Sequence, residues 1–498
     1  MLDIVGWSRR FNIQSNPWLI VGKGPTFRKV REIDLSGYHV CSLNHVVREL
    51  PVTLAHIIDI DVVADCAGEI YQNAKFLVMP YRPHIKNYPS SKTLADFIAE
   101  IQVLEAMEKE GRLVWYNLSS SSPHLDSPII KAVNFSSEAA LNLLVTAGAT
   151  EVRTLGVDGG QSYSEAFDDL RSRTLLVNGQ ESFDKQFGGI CETIRKSRVL
   201  YAPLHIEAPI RIFVGADAAQ SLGVKMLEYS IKRHTPVSVA LERIDDVNIP
   251  VPRKPQNRSR SGFSFSRFDI PRRCGYRGKA IYMDADMQVF SDVTRLWTWE
   301  MNDAAVLYCD GQADLGRPPQ FSVMLMDCSR LPWDAATIVR ELDAGKYTYE
   351  ELMQDLCIVP GNLKKKVLPF EWNSLEHYEE GRTCLIHYTD MNTQPWVSNN
   401  NPNSRLWYHL LKEALLEGFI TGEELRAEID QGHVSPQLPH WAELPDIGQI
   451  ANSGKEWIAP YKRFLKDDSK VSNVQSPRGA DSRGPRWLGR LRRLLHTR

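Results

Sequence analysis

In the stretch Lys279-Ala280-Ile281-Tyr282-Met283-Asp284-Ala285-Asp286-Met287-Gln288-Val289-Phe290, two carboxylates lie between two apolar runs rich in strand-forming residues. A buried strand that ends in acids breaks the surface where α/β sheets place their ligands. One residue apart in extended backbone, Asp284 and Asp286 point to the same side, with only the small Ala285 between them. Two hard oxygen ligands at a strand end suit Mg²⁺ or Mn²⁺ carrying a diphosphate. The same triplet also occurs in ordinary turns, so its company decides.

That company begins at Ile210-Arg211-Ile212-Phe213-Val214-Gly215-Ala216-Asp217, a strand whose closing acid can accept from the N–H of a uracil ring or cap a helix. Lys254 to Gly262 is a basic loop, with Arg258 and Arg260, that closes over a diphosphate or is simply solvated. Arg267, flanked by aromatics, is the better phosphate or sugar contact. A core strand follows at Gln320 to Asp327, and Asp334 caps a helix through Leu342. Then come Met353-Gln354-Asp355-Leu356, Glu371-Trp372-Asn373, Cys384-Leu385-Ile386-His387-Tyr388-Thr389-Asp390 and Gln394-Pro395-Trp396. A histidine ending an apolar strand is by default a satisfied core residue; beside two aspartates, His387 becomes a candidate third ligand.

The elements that position these residues fill a chain of 498 residues, which exceeds one ordinary core and reads best as two large domains. Hydrophobic content of 43%, charged content of 24% and a net charge of −2 argue against a nucleic-acid binder. The eight cysteines are scattered singly with no zinc spacing and read as reduced thiols. Neither a secretory leader nor an apolar run of membrane-spanning length is present, so a cytoplasmic location is expected.

In the first domain, residues 1–205, the strand Trp18 to Val21 runs into Gly22-Lys23-Gly24-Pro25-Thr26 and a helix-like Phe27 to Arg31. Such a turn lets backbone approach a phosphate, or uses glycine for shape alone. Strands follow at Tyr38 to Asn44, Val52 to Asp61 and Phe76 to Pro80, then a helix over Leu94 to Glu110. A buried helix from Ser136-Ser137 leads to the strand Glu151 to Asp158. Alternating strands and helices imply a doubly wound, mostly parallel sheet.

The series Gly22-Lys23-Gly24-Pro25-Thr26, Asn44, Ser136-Ser137 and Leu155-Gly156-Val157-Asp158 resembles the motif order of the bacterial sialyltransferases that decorate lipooligosaccharide (family 42), and of domains similar to 6-hydroxymethylpterin pyrophosphokinase. The resemblance implies a Rossmann-like nucleotide site using Gly22, Gly24, Pro25, Asn44, Ser137 and Asp158. Those sialyltransferases carry a general-base histidine after this strand, whereas Ser162 to Phe187 has none. The first half is therefore expected to be a degenerate or differently specialised nucleotide domain.

Residues 209–445 resemble glycosyltransferase family 8, the glycogenin-like and bacterial lipopolysaccharide glycosyltransferase group with the GT-A fold. The resemblance implies a nucleotide-sugar donor, usually UDP-linked, and Mn²⁺ (or Mg²⁺) held by Asp284, Asp286 and His387, with transfer that retains anomeric configuration. It puts Asp217 on uracil, Arg267 before the metal motif, and Gln354 and Asp355 beside the sugar as catalytic candidates. Ala285, Gln320, Gln394 and Trp396 complete the donor contacts. Two departures are visible: Gln320-Phe321-Ser322 replaces the family's asparagine-bearing turn, and Gln394 stands where a diphosphate-binding lysine is usual.

Residues 446–498 form an extension whose end, Arg486 to Leu495, sets tryptophan, leucines and arginines at helical spacing. Such a helix can lie on an anionic membrane surface, here the cytoplasmic face of the inner membrane, or remain solvated. The fold expected is α/β with two Rossmann-like domains, the second of GT-A type, and a disordered basic tail. The function expected is UDP-sugar transfer to a surface-glycan or lipid-linked acceptor. The alternatives are a non-catalytic nucleotide-sugar module, or CMP-sugar or pyrophosphoryl transfer by the first domain.

Overall fold

The computed structural model describes residues 1–444 except 122, 123, 125, 133, 174–180, 260 and 310–319. The expected amphipathic tail, the linker before it and Arg260 lie outside the described residues.

Eight strands form the path of the first sheet: β1 (Leu2–Asp3), β2 (Trp18–Val21), β3 (His39–Leu43), β4 (Val52–His56), β5 (Ala74–Pro80), β6 (Leu113–Leu118), β7 (Glu151–Leu155) and β8 (Leu200–Pro203). Their order is β1-β6-β5-β4-β3-β2-β7-β8, with Ile129–Ile130 added beside β6. Every pairing is parallel. The order reverses at β2, whose neighbours β3 and β7 lead outward in opposite directions, which makes a cleft at the carboxyl ends of these three strands. Apolar clusters cover both faces. One joins Val21, Leu77 and Met79 to Leu104; the other joins Trp18, Leu54 and Val114 to helix α1 (Ser136–Ala147).

Several boundaries differ from the sequence expectation. The third strand stops at His56 because Ile60–Asp65 turns helical, and the expected helix 94–110 is two pieces, Leu94–Ile98 and Gln102–Lys109. Thr93 and Asp96 form a capping box on the first piece, and the chain is extended at Ile101 between them. The segment Tyr201 to Pro209, which its prolines at 203 and 209 make read as a connector between the two domains, starts within the edge strand β8. The backbone of β8 is tied onward, since Tyr201 and Ser238 exchange hydrogen bonds in both directions.

The second sheet is mixed. It contains β9 (Ile210–Gly215), β10 (Val239–Ile244), β11 (Lys279–Asp284), β13 (Val306–Cys309), β14 (Gln320–Asp327) and β15 (Lys364–Leu368), in the order β10-β9-β11-β14-β13-β15. β14 runs antiparallel to both neighbours, so this sheet is not the purely parallel layer of a simple Rossmann unit. A third sheet joins β12 (Met287–Val289), β16 (Ser374–Leu375) and β17 (Leu385–His387). The chain thus leaves one sheet at Asp284 and enters another at Met287, and the acids occupy the crossing. Behind it lie α3 (Ser221–His234) and the helix Ser404–Leu416. Among the described residues no helix is long and apolar enough to cross a membrane. All eight cysteines are free, six of them buried.

Candidate functional site

β11 and β12 fix the backbone of the acidic turn, and register fixes what faces it. Met287 pairs with His387 across the antiparallel β12–β17 ladder, and the amide of Tyr388 donates to the carbonyl of Asp286 at 2.8 Å. The histidine is therefore set beside an aspartate 101 residues away in sequence by strand pairing. Ligand atoms of Asp284, Asp286 and His387 all lie within 4.8 Å of one another. His387 Nε2 stands 3.0 Å from Asp286 Oδ1.

On the other side of the ring, His387 Nδ1 is 3.0 Å from Asn373 Oδ1, and the Asn373 amide donates to Ser322 Oγ at 3.1 Å. With its nitrogen committed to the serine, Asn373 offers an acceptor, so Nδ1 keeps a proton and Nε2 is the nitrogen turned to the carboxylates, where a cation would take the place of a proton. Asp284 is held by the Tyr282 hydroxyl, which donates to Oδ1 at 2.6 Å. The Arg267 guanidinium lies 3.9 Å from the same oxygen, stacks 4.7 Å from the Tyr282 ring centroid, and donates to the carbonyl of Phe321 at 3.2 Å.

Charge balance follows from burial. Burial opposes a charge on His387, but Asp286, Asp284 and Glu376 outweigh it and its pKa rises. Burial raises the pKa of Asp284, against the pull of Arg267 and His387. Two hard carboxylates and an imidazole whose Nε2 is aimed at them fit a divalent cation of the Mn²⁺ or Mg²⁺ kind, which would replace the Nε2 proton and relieve the crowding of negative charge.

The remaining expected residues separate into those brought to this site and those that are not. The Gln394 side-chain amide donates to Asp286 Oδ2 at 3.1 Å and to the Tyr388 carbonyl at 3.0 Å, so both its hydrogens are committed behind the carboxylate. Ala285 is 1% exposed and packs with Val214, Ala216 and Val224; its carbonyl lies 3.0 Å from where a Cβ on Gly223 would stand. Its backbone thus packs closely on α3 at Gly223, while the acids face the opposite way. Trp396 packs in an apolar cluster, 5.5 Å from the Trp407 ring. Asp217 follows β9, which pairs with β11 through Gly215 and Asp284. Its carboxylate caps a short 3₁₀ turn by accepting from Ala219 at 3.0 Å, and burial raises its pKa.

Gln354 ends the helix Tyr349–Gln354 and Asp355 follows it; both are exposed, and neither side chain hydrogen-bonds to the triad. Gln320 opens β14 opposite Cys309. The loop carrying Arg258 is anchored by Asp246, which accepts from Ser259 Oγ at 2.8 Å and from the amides of Phe265 and Ser266.

Two supporting residues had no role in the sequence reading. Tyr282 could have been found, since it precedes Asp284 by two positions and shares its face. Asn373 could not, because nothing in its spacing points to His387.

The first-half motifs converge on an open cleft lined by Gly22, Lys23, Gly24, Asn44, Ser137 and Asp158 among others. The glycine turn is not a phosphate cradle. Gly22 and Gly24 donate their amides to the carbonyls of Leu155 and Gly156, both at 2.8 Å. The Asp158 carboxylate accepts from the Thr26 amide at 2.6 Å and from its hydroxyl, filling the place an anion would take. A Cβ on Gly22 would stand 2.3 Å from the Gly156 carbonyl oxygen, so glycine here serves the close crossing of two turns. Pro25 is exposed at the first position of the 3₁₀ helix Pro25–Glu32.

No family model matches the chain, and no curated protein matches it. Among solved structures, the galactosyltransferase LgtC bound to donor and acceptor sugar analogues is similar at 15% identity, over 44% of this chain and 100% of that one, with a TM-score of 0.31. GlyE, a glycosyltransferase of Streptococcus pneumoniae, is 16% identical over 43% of this chain and 64% of its own, with a TM-score of 0.31. Mouse xyloside xylosyltransferase 1 is 10% identical over 37% of this chain and 99% of its own, with a TM-score of 0.27. These likenesses are weak, and nothing that follows rests on them.

Proposed function

We propose that this protein is a glycosyltransferase that moves a sugar from a nucleotide-sugar donor, UDP-linked, to a glycan or lipid-linked acceptor with retention of configuration. The observation that carries the reading is the convergence of Asp284, Asp286 and His387 at the junction of two sheets, with ligand atoms within 4.8 Å. Residues 1–205, 209–445 and 446–498 are taken as a nucleotide domain, a GT-A domain and an extension that touches an anionic membrane surface.

The triad would hold Mn²⁺ or Mg²⁺, which when bound supplies positive charge to the diphosphate as it leaves. Asp217 is assigned to the uracil N–H through the carboxylate oxygen its cap leaves over. Arg267, rigid on Tyr282, supplies fixed positive charge beside Asp284 without reorganising. This offsets the absence of a lysine at Gln394, whose part here is to hold Asp286 in place. Gln354 and Asp355, at the solvent edge, are assigned to the exposed face of the sugar.

The test is donor turnover. Purified protein with Mn²⁺ and a panel of UDP-sugars should hydrolyse or transfer at least one, and Asp284→Ala should abolish it. Equal turnover in that variant removes the metal role. Calorimetric binding of UDP without turnover across the panel leaves a binding module instead of an enzyme.

A further inference from the structure

Spacing gives the eight cysteines no role, yet folding brings two of them together at the end of the second sheet away from the acids. Lys279 pairs with Asp327 across the antiparallel β11–β14 ladder, and one step beyond it the Cys328 amide donates to the Gly278 carbonyl at 2.9 Å. Gly275, Tyr276 and Gly278 have φ of 62°, 55° and 62°, left-handed backbone that doubles the chain back on itself. The Tyr276 amide donates to the Pro271 carbonyl at 2.7 Å, and its hydroxyl to the Trp333 carbonyl at 3.0 Å. The short helix Ile270–Arg273 is thereby laid against the turn Cys328–Arg330. Cys274 closes that helix, and its sulfur meets the sulfur of Cys328, whose thiol donates to it.

The two thiols are unlike. Cys274 is half-buried between the exposed Arg273 and Gly275, whereas Cys328 is fully buried. The bond from Cys328 and, less strongly, the Arg211 guanidinium bring Cys274 down from 9.0 to about 7, against burial and Glu242. Giving that bond, then burial, the charge on Cys274 and Asp327 push Cys328 up, with Arg211 pulling the other way. Burial pushes up the thiols of Cys41, Cys191 and Cys309 as well, which leaves them poor nucleophiles. An accessible thiolate in contact with a protonated thiol is the arrangement of an attacking sulfur and its resolving partner.

We propose that Cys274 and Cys328 form a reversible disulfide, with Cys274 the sulfur that reacts with peroxide and Cys328 the one that resolves it. The Cys274 thiolate attacks one oxygen of hydrogen peroxide, the O–O bond breaks, and hydroxide leaves with the electron pair and is protonated to water; Cys274 becomes a sulfenic acid. The Cys328 sulfur then attacks that sulfur, the S–O bond breaks, and the hydroxyl departs as water with the Cys328 proton. In sum two thiols and one peroxide give one disulfide and two waters, and the two electrons the sulfurs lose go to the peroxide. A dithiol reverses the bond by exchange. The ring it closes, residues 274–328, carries Asp284 and Asp286, so oxidation restrains the acid-bearing segment in the unfolded chain. None of this depends on the proposed transferase reading, so each can fail alone.

The experiment is oxidation of the full chain with a small excess of hydrogen peroxide, then blocking of free thiols with N-ethylmaleimide in denaturant and peptide mass spectrometry without reduction. The linked peptides of Cys274 and Cys328 should be the main disulfide product and should vanish after dithiothreitol. Their formation should be about tenfold slower at pH 6 than at pH 8, following the thiolate fraction of a thiol with a pKa of about 7. The oxidised chain should melt higher than the reduced one. Cys328→Ser should stop at a Cys274 sulfenic acid that dimedone captures, and Cys274→Ser should leave Cys328 reduced. The parent alone yields the linked peptides and the pH profile, so a variant that fails to fold leaves the test intact. Cys274 and Cys328 both remaining free while the exposed Cys357 oxidises, a mixture of cysteine pairings in similar yield, or equal rates at pH 6 and 8 each overturns the proposal. An oxidised chain that melts no higher overturns the restraint on the acid-bearing segment.

Discussion

Asn373 is the sharpest point at which the metal-site reasoning can be broken. It is 4% exposed and His387 5%, so no water can replace the bond between Nδ1 and the Asn373 carbonyl oxygen. In Asn373→Leu, of similar volume, the imidazole either keeps Nδ1–H unsatisfied, costing about 1 to 3 kcal/mol, or moves its proton to Nε2. The second outcome points an N–H at Asp286, where the cation needs a lone pair. Either way, loss of such an outer contact weakens metal binding by roughly 10- to 100-fold, equivalent to about 1.4 to 2.7 kcal/mol. Titration of Mn²⁺ followed by electron paramagnetic resonance of the free ion reads this directly, without any donor or turnover. Asn373→Asp keeps an acceptor toward Nδ1 and should stay much closer to the parent. If Asn373→Leu melts like the parent and binds Mn²⁺ within about twofold of it, Asn373 does not set the tautomer.

Two further predictions probe the first half. Gly22→Ala drives a Cβ to 2.3 Å from the Gly156 carbonyl oxygen, a backbone atom that cannot turn aside. The melting midpoint should fall with a loss of about 1 to 3 kcal/mol while Mn²⁺ affinity is unchanged, and an unaltered melt would contradict the close crossing. Burial, then Arg48, brings the Lys23 pKa down from 10.5 to about 8, against weaker upward pulls from Cys66, Asp59 and Asp169, while Tyr163 faces it and His45, itself lowered to about 4, stays neutral. Because the folded value is depressed, the ammonium is lost as pH rises through about 8. Between pH about 8 and 10.5 the unfolded chain still binds the proton that the folded chain has released, so stability should rise with pH across that window, and Lys23→Met should flatten the rise; equal slopes in parent and variant would contradict the burial of this ammonium.

What the sequence disclosed and what it hid divide along a physical line. Period-two alternation in 282–286 was enough to place Asp284 and Asp286 on one face, because strand geometry allows only two sides. It did not show the close approach of the Ala285 carbonyl to Gly223, on a helix 62 residues earlier, which no local pattern reports. His387 was legible as a histidine ending an apolar strand and as a candidate ligand beside two aspartates, but not its placement, which depends on a β12–β17 register that joins Met287 to a residue 100 positions later. Strands flanked by clear turns, such as Trp18–Val21 and Gln320–Asp327, were legible. The edge strand Leu200–Pro203 was hidden because its closing proline and its shortness suit a connector equally well.

The glycine turn shows the same limit most plainly. Gly22-Lys23-Gly24-Pro25 has the composition of a phosphate loop, but composition does not say who receives the amides. In the folded chain Leu155, Gly156 and Asp158 receive or replace them, each more than 130 residues away. Beside that turn, among the described residues, the first amides of α1 and Asn44 Oδ1 are left without partners instead. A ligand site is defined by what folding leaves unpaired, and that remainder exists only once every long-range partner has been assigned.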